Sequence, residues 1–241
     1  GNVYRSRVDL APFGAIITRP ISLRPHRFKP LVTELQQGFL LEDGLHNPGV
    51  KQVLRRYGPH WAQLSLPIIA HLPANETNAL TRTARALTQN APLAAIELGL
   101  PADTFPDDVF DCVTAIRAES ELPVLVKIPF EASADHMDAA AAAGADALVI
   151  SAPPRGTIYR QGETRAGDLY GTGIHSLVLN KLERLIPSTR LPVVAAGGIH
   201  TVSDARAYLA AGAVAVQLDS ILFINPKQAQ EIAQLVGEEA K

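Results

Sequence analysis

Val193-Val194-Ala195-Ala196-Gly197-Gly198-Ile199-His200, followed by Gly212-Ala213-Val214-Ala215-Val216-Gln217-Leu218-Asp219-Ser220, decides how the rest of the chain is read. Each segment is a nearly continuous apolar run that ends in a glycine or polar turn, and residues 202–211 between them have the pattern of an amphipathic helix. An unbroken apolar run suits a parallel strand covered on both faces, and strand, turn and helix in repetition make βα units. Working outward, the same alternation predicts strands at residues 14–18, 66–71, 94–98, 123–128, 147–151, 192–196 and 214–218. Helices are expected at 76–88, 107–118, 134–143, 176–185, 202–211 and 227–236. The fold class that follows is α/β, a (β/α)8 TIM barrel forming one domain over residues 1–241, with its first strand missing or not covered. Asn75, Ser203 and Asn225 are placed to cap helices, and Gly144 and Gly212 to end them.

The turns after the last two strands of such a barrel commonly hold a phosphate. Gly197 and Gly198 would let an anion approach the backbone closely, and the amides near Ser220 would donate to it. The competing reading is a tight strand-to-helix turn and nothing more. Lys127 ends the apolar run Val124-Leu125-Val126-Lys127, so burial would be costly unless it points into a site supplying negative charge. Arg19 stands in the same situation. Glu97, inside Ala94-Ala95-Ile96-Glu97-Leu98, reads as one half of an ion pair in the barrel interior. Cys112 shares a helix face with Val109 and Ile116 and reads as a buried apolar residue. Two long connections, residues 20–62 and 152–175, would leave the carboxyl ends of strands, where barrel enzymes build their sites.

Composition narrows the function classes. With 22 Lys plus Arg against 24 Asp plus Glu, the net charge is −2 and no basic stripe offers itself to nucleic acid. One cysteine excludes an internal disulfide, a multi-cysteine zinc site and an iron–sulfur cluster held by this chain alone, and makes the cytoplasm the expected location. The seven histidines lack the His-x-x-x-His spacing of a helical metal site, so no metal is expected. No apolar run reaches the roughly 18–20 residues of a membrane span, and the first residues, with Arg5, Arg7 and Asp9, do not read as a signal peptide or anchor.

Several further words occur in a fixed order: Phe13-Gly14-Ala15-Ile16-Ile17-Thr18, Asp43-Gly44-Leu45-His46-Asn47-Pro48-Gly49, Ala95-Ile96-Glu97-Leu98, Val124-Leu125-Val126-Lys127, Gly144-Ala145-Asp146-Ala147-Leu148-Val149-Ile150 and Arg155-Gly156. Together with the two segments quoted first, they make residues 8–223 resemble the dihydroorotate dehydrogenase family of FMN-dependent barrels. The chain is most similar to the soluble class, whose flavin subunit passes electrons to NAD through a second subunit carrying FAD and an iron–sulfur cluster. The resemblance implies FMN as cofactor, hydride transfer to flavin N5, a role in pyrimidine biosynthesis and a separate electron-transfer subunit. Thr18, Arg19, Lys127, Ile150, Gly171, Gly197, Gly198, Asp219 and Ser220 would contact the cofactor, with Lys127 acting in catalysis through its charge near the flavin ring. Asn47, Ser151, Arg155 and Tyr159 would touch a small-molecule substrate. Further copies of the chain are expected as partners; nucleic acid and membrane are not.

The chain departs from the family's words at the substrate. Leu41 stands where the family offers an asparagine, Gly99-Leu100-Pro101 replaces an asparagine and the Ser or Cys base, and Ser151-Ala152 replaces an Asn-Thr or Asn-Ser pair. Each lost polar contact is worth on the order of 1–3 kcal/mol, which would make dihydroorotate a poor ligand, so the expected substrate is dihydroorotate or a related small molecule. His46 or Glu42 would replace the missing base; the competing reading is that both are solvated loop residues. Asp219 replaces a glycine whose amide faces the phosphate, and an inward carboxylate there would repel a dianion. The alternative reading is a barrel that has lost flavin and redox chemistry and binds a phosphorylated small molecule. A third is a sugar-phosphate isomerase or lyase with Lys127 as a Schiff-base lysine.

Overall fold

The computed structural model describes residues 8–42, 45–74, 76–160 and 162–239. Asp43, Gly44 and Asn75, named above, lie outside them. Seven strands form one parallel sheet: β1 (Ile16–Ile17), β4 (Ile68–Pro73), β5 (Ala95–Gly99), β6 (Val124–Ile128), β7 (Ala147–Ile150), β10 (Val193–Ala196) and β11 (Ala215–Gln217). Their spatial order is their order in the chain, β1-β4-β5-β6-β7-β10-β11, and all six pairings are parallel. These are the seven strands expected from the sequence.

The sheet curls. In a flat sheet β5 and β11 would stand four strand spacings apart, roughly 19 Å. Yet the Gln217 side chain on β11 bonds the Glu97 carboxylate on β5 and accepts from Lys127 on β6. That reach is possible only if the strands wrap around a common interior, as in a TIM barrel. Among the described residues β1 and β11 do not pair with each other, so the barrel is open along one side. Val214, leading into β11, is 63% exposed there.

Helices cover the outside of the sheet. They are α1 (Val50–Trp61), α2 (Thr77–Asn90), α3 (Pro106–Arg117), α4 (Ala134–Ala142), α5 (Ile174–Leu185), α6 (Val202–Ala210), α7 (Ser220–Ile224) and α8 (Pro226–Glu239). α3 shows why they form. Val109, Cys112, Val113 and Ile116 recur at helical spacing and are all buried against the sheet. Gly144 (φ 91°) and Gly212 (φ 103°) follow α4 and α6 in the left-handed conformation anticipated for helix ends. Asn225 accepts from the Gln228 amide at the start of α8, as expected of a cap. The cap of α6 is Thr201 and not Ser203: Thr201 Oγ1 accepts from the Asp204 amide, and Asp204 returns the bond to the Thr201 amide. That reciprocal box fixes the helix start two residues earlier.

The two long connections are not irregular loops. The first carries α1 and the hairpin of β2 (Leu31–Leu35) and β3 (Gly38–Glu42); the second carries β8 (Arg155–Arg160) and β9 (Glu163–Gly171). They pair with each other as a four-stranded antiparallel sheet, β2-β3-β9-β8. Because one connection follows β1 and the other β7, this second sheet stands at the carboxyl end of the barrel. Gly171 and Gly38 are opposite one another in it, and a Cβ on Gly171 (φ 138°) would lie 2.1 Å from the Gln37 carbonyl oxygen. Only glycine permits that approach.

Candidate active site

At the carboxyl end of the barrel four polar side chains form one connected arc. Lys127 Nζ donates to Gln217 Oε1 at 2.8 Å, the Gln217 amide nitrogen donates to Glu97 Oε2, and Glu97 Oε1 meets His71 Nδ1 at 2.7 Å. Lys127 Nζ also lies 3.9 Å from Glu97 Oε1. Strands β4, β5, β6 and β11 each contribute one member at inward-facing positions. The ion pair read into Glu97 is therefore present, and the Lys127 ammonium turns inward.

Glu97 is wholly buried. Burial alone would raise its pKa, but Lys127, His71 and Gln217 outweigh it and hold the carboxyl at about 2. The carboxylate is therefore charged at neutral pH and can only accept hydrogen bonds. Its stabilising contribution is complete above the ordinary carboxylate range, near 4.5, and is lost as pH falls toward about 2.

Asp219 completes the mouth. Solvent reaches its side chain, yet protein surrounds it, and burial pushes its carboxyl upward, opposed by Lys127 and Arg19, reinforced by Glu97 and opposed again by His71. Asp219 directly follows Leu218 and β11, the strand that carries Gln217, and so stands at the carboxyl end of the barrel. Thr18 Oγ1 accepts from the His71 amide at 3.0 Å, which ties the end of β1 to β4.

Beside the mouth lies the glycine turn after β10. Gly197 (φ 115°) and Gly198 (φ 68°) bend the chain so that a Cβ on Gly198 would stand 2.3 Å from the His175 amide nitrogen. Tyr208 locks the arrangement by donating its hydroxyl toward the carbonyls of Gly197, at 2.7 Å, and His175, at 3.2 Å, with its ring stacked on His175. Tyr208→Phe is expected to destabilise the fold by about 1–2 kcal/mol, read as a lower urea midpoint, because two carbonyls lose their donor. His200 Nε2 lies 3.4 Å from Ser220 Oγ and links this turn to the one after β11. Burial lowers the pKa of His200, with Asp204 opposing. Among the described residues, the backbone amides of Gly198 and Ser220 donate to no protein acceptor.

The remaining sequence-derived candidates fall elsewhere or are occupied. Asn47 is buried, its Oδ1 accepting from the Ser22 amide, Ser22 Oγ and the Gly49 amide, and its Nδ2 donating to the Leu45 carbonyl. It organises its own loop. Ser151 is buried at the end of β7, next to the fully buried Ile150, and donates to the Ala152 carbonyl. Arg155 and Tyr159 stand on β8, the outer strand of the antiparallel sheet; Arg155 pairs with Asp168 at 3.3 Å and Tyr159 is 76% exposed. His46 accepts from the Phe28 amide in an exposed loop, and Glu42 lies on β3 opposite Leu31. His71 and His200 were missed by sequence reasoning. No local signal marked His71: only in the fold does a Cβ on Gly99 meet the His71 ring at 2.4 Å, so that glycine on one strand makes room for imidazole on the next.

The comparisons with known proteins agree with this architecture. The family model described as dihydroorotate dehydrogenase matches residues 1–239. The chain is 28% identical to the dihydroorotate dehydrogenase B (NAD(+)) catalytic subunit of Geotalea uraniireducens, over 97% of this chain and 83% of that protein. The corresponding subunits of Trichlorobacter lovleyi and Desulforudis audaxviator are also 28% identical, with 97% of this chain covered and 84% and 82% of those proteins. With a family match that spans nearly its full length and a curled parallel sheet of the barrel type, this chain belongs to the dihydroorotate dehydrogenase family.

Proposed function

We propose that the chain is an FMN-dependent oxidoreductase acting on the CH–CH unit of dihydroorotate or a closely related cyclic acid. The observation that carries the reading is the pairing of two amides, at Gly198 and Ser220, that among the described residues find no protein acceptor, with a lysine ammonium turned into the adjoining barrel mouth. A phosphate needs backbone donors on a glycine turn, and the electron-rich edge of a flavin needs a fixed cation. Gly197, Gly198 and Ser220 would hold the phosphate, with His200 beside it. Lys127, kept in place by Gln217, and Arg19 would supply positive charge near the ring. When bound, FMN supplies a two-electron oxidant that accepts hydride. The relatives carry the words catalytic subunit in their names, which supports a separate subunit as the route by which electrons leave. No helix among the described residues is long and apolar enough to cross a membrane.

The test is reconstitution. Protein purified and mixed with FMN is expected to retain flavin absorbance after gel filtration, and the bound flavin is expected to bleach when dihydroorotate is added anaerobically. A colourless protein, or one whose flavin is reduced neither by dihydroorotate nor by its close cyclic-acid analogues, removes the proposal. Glu97 is held by Lys127, His71 and Gln217, which leaves Asp219 as the mouth's other carboxylate to oppose a dianion. Asp219→Asn is therefore expected to tighten FMN binding roughly tenfold, measured by fluorescence titration at low salt.

A further inference from the structure

We infer that His71 is the proton acceptor of this site, taking the place of the Ser or Cys that the chain does not supply. The inference rests on the flavin reading above and deepens it. Glu97 holds His71 Nδ1 at 2.7 Å, and a charged carboxylate has no proton to give, so Nδ1 must carry the hydrogen. In the neutral ring Nε2 then presents its lone pair. Among the described residues Nε2 has no protein partner, and the His71 side chain is 15% exposed. Cε1 and Nε2 are the ring atoms closest to Gly99, at 2.4 and 2.6 Å from where its Cβ would stand, and Gly99 pairs with Lys127 at the carboxyl end of the barrel. The basic nitrogen therefore sits beside the strand end from which the Lys127 ammonium enters the mouth. A base oriented by a buried carboxylate, with its second nitrogen open to the pocket, is the arrangement that proton abstraction needs.

The step balances with flavin as the oxidant. Nε2 takes a proton from one carbon of the CH–CH unit, the electron pair of that C–H bond becomes the C=C bond, and hydride leaves the neighbouring carbon for the oxidised flavin. The imidazolium formed is stabilised by Glu97. Lys127 and Arg19 are the cations that act on Asp219, the second carboxylate at this end of the barrel. Glu97 thus has two duties: it fixes the tautomer of His71 and balances the charge of Lys127.

Two measurements test this, one of them without cofactor. In flavin-free protein, long-range proton–nitrogen NMR spectra, with the His71 signals assigned by their loss in His71→Gln, are expected to show protonated Nδ1 and unprotonated Nε2. Glu97→Gln should mix the tautomers. In reconstituted protein, His71→Gln is expected to bind FMN as the parent does but to slow anaerobic flavin reduction by dihydroorotate at least a hundredfold. His71→Ala should recover part of that rate when free imidazole is added, which a purely structural loss would not. Flavin binding with undiminished reduction in His71→Gln, or a ring protonated on Nε2, overturns the assignment while leaving the flavin reading standing. Parent protein that fails to bind FMN, or to be reduced, overturns both.

Discussion

Glu97→Ala is expected to cost the fold about 3–5 kcal/mol, because it removes one partner of a buried charge pair and leaves the other side uncompensated. For a domain of this size that corresponds to a fall in Tm of roughly 6–20 °C, read by differential scanning calorimetry. The carboxylate is fully enclosed and engages Lys127, Gln217 and His71 at once. Its loss leaves the Gln217 amide and one imidazole nitrogen without acceptors. Glu97→Gln keeps the shape and some of the hydrogen bonds, so it should destabilise less at neutral pH. The difference between the parent and Glu97→Gln should shrink as pH falls from near 4.5 toward about 2, where the parent protonates the same group. A gap that stays constant through that range would show that the charge of Glu97 adds nothing to stability.

Gly198→Ala is expected to weaken FMN binding roughly a hundredfold, an energy of about 2–3 kcal/mol. The added Cβ would lie 2.3 Å from the His175 amide nitrogen and 2.7 Å from its Cα, both backbone atoms at the start of α5 that cannot step aside alone. Moving them displaces the turn whose amide would face the phosphate. Gly162→Ala is the control. Gly162 also has positive φ, at 84°, but nothing lies within 4 Å of its added Cβ. That variant should carry only the local backbone strain, about 1 kcal/mol, and bind FMN like the parent. Equal FMN affinities for the two variants would remove the glycine turn after β10 from the binding site.

Much of the barrel was legible because its strands are local, apolar and punctuated. The run Val124-Leu125-Val126-Lys127 and the diglycine turn after β10 identify themselves from side-chain character alone. The antiparallel sheet did not, for a physical reason. β3 finds its partner β9 more than a hundred residues away, with Leu40 opposite Leu169, and most positions in β2 and β8 face solvent. An exposed strand lacks the apolar alternation that marks a half-buried one, and pairing over such a distance leaves no trace in the local pattern. α1 lay unseen in the same connection; Gly58 and Pro59, both poor helix formers, fall in its last turn, with Pro59 inside the helix.

The same division holds for the site. The sequence by itself determined which groups carry unusual cost: a lysine at the end of an apolar strand, a glutamate inside one, a pair of glycines at a turn. These follow from the penalty of burying charge and from the steric freedom of glycine, both properties of a residue and its near neighbours. Only the tertiary structure decided who meets whom. Curling the sheet brings Gln217 across to Glu97 and Lys127, and setting Gly99 beside His71 turns two unremarkable strand residues into a held imidazole. Hydrogen bonds act over about 3 Å, so partners far apart in the chain become readable only once the strands that carry them have closed around the same interior.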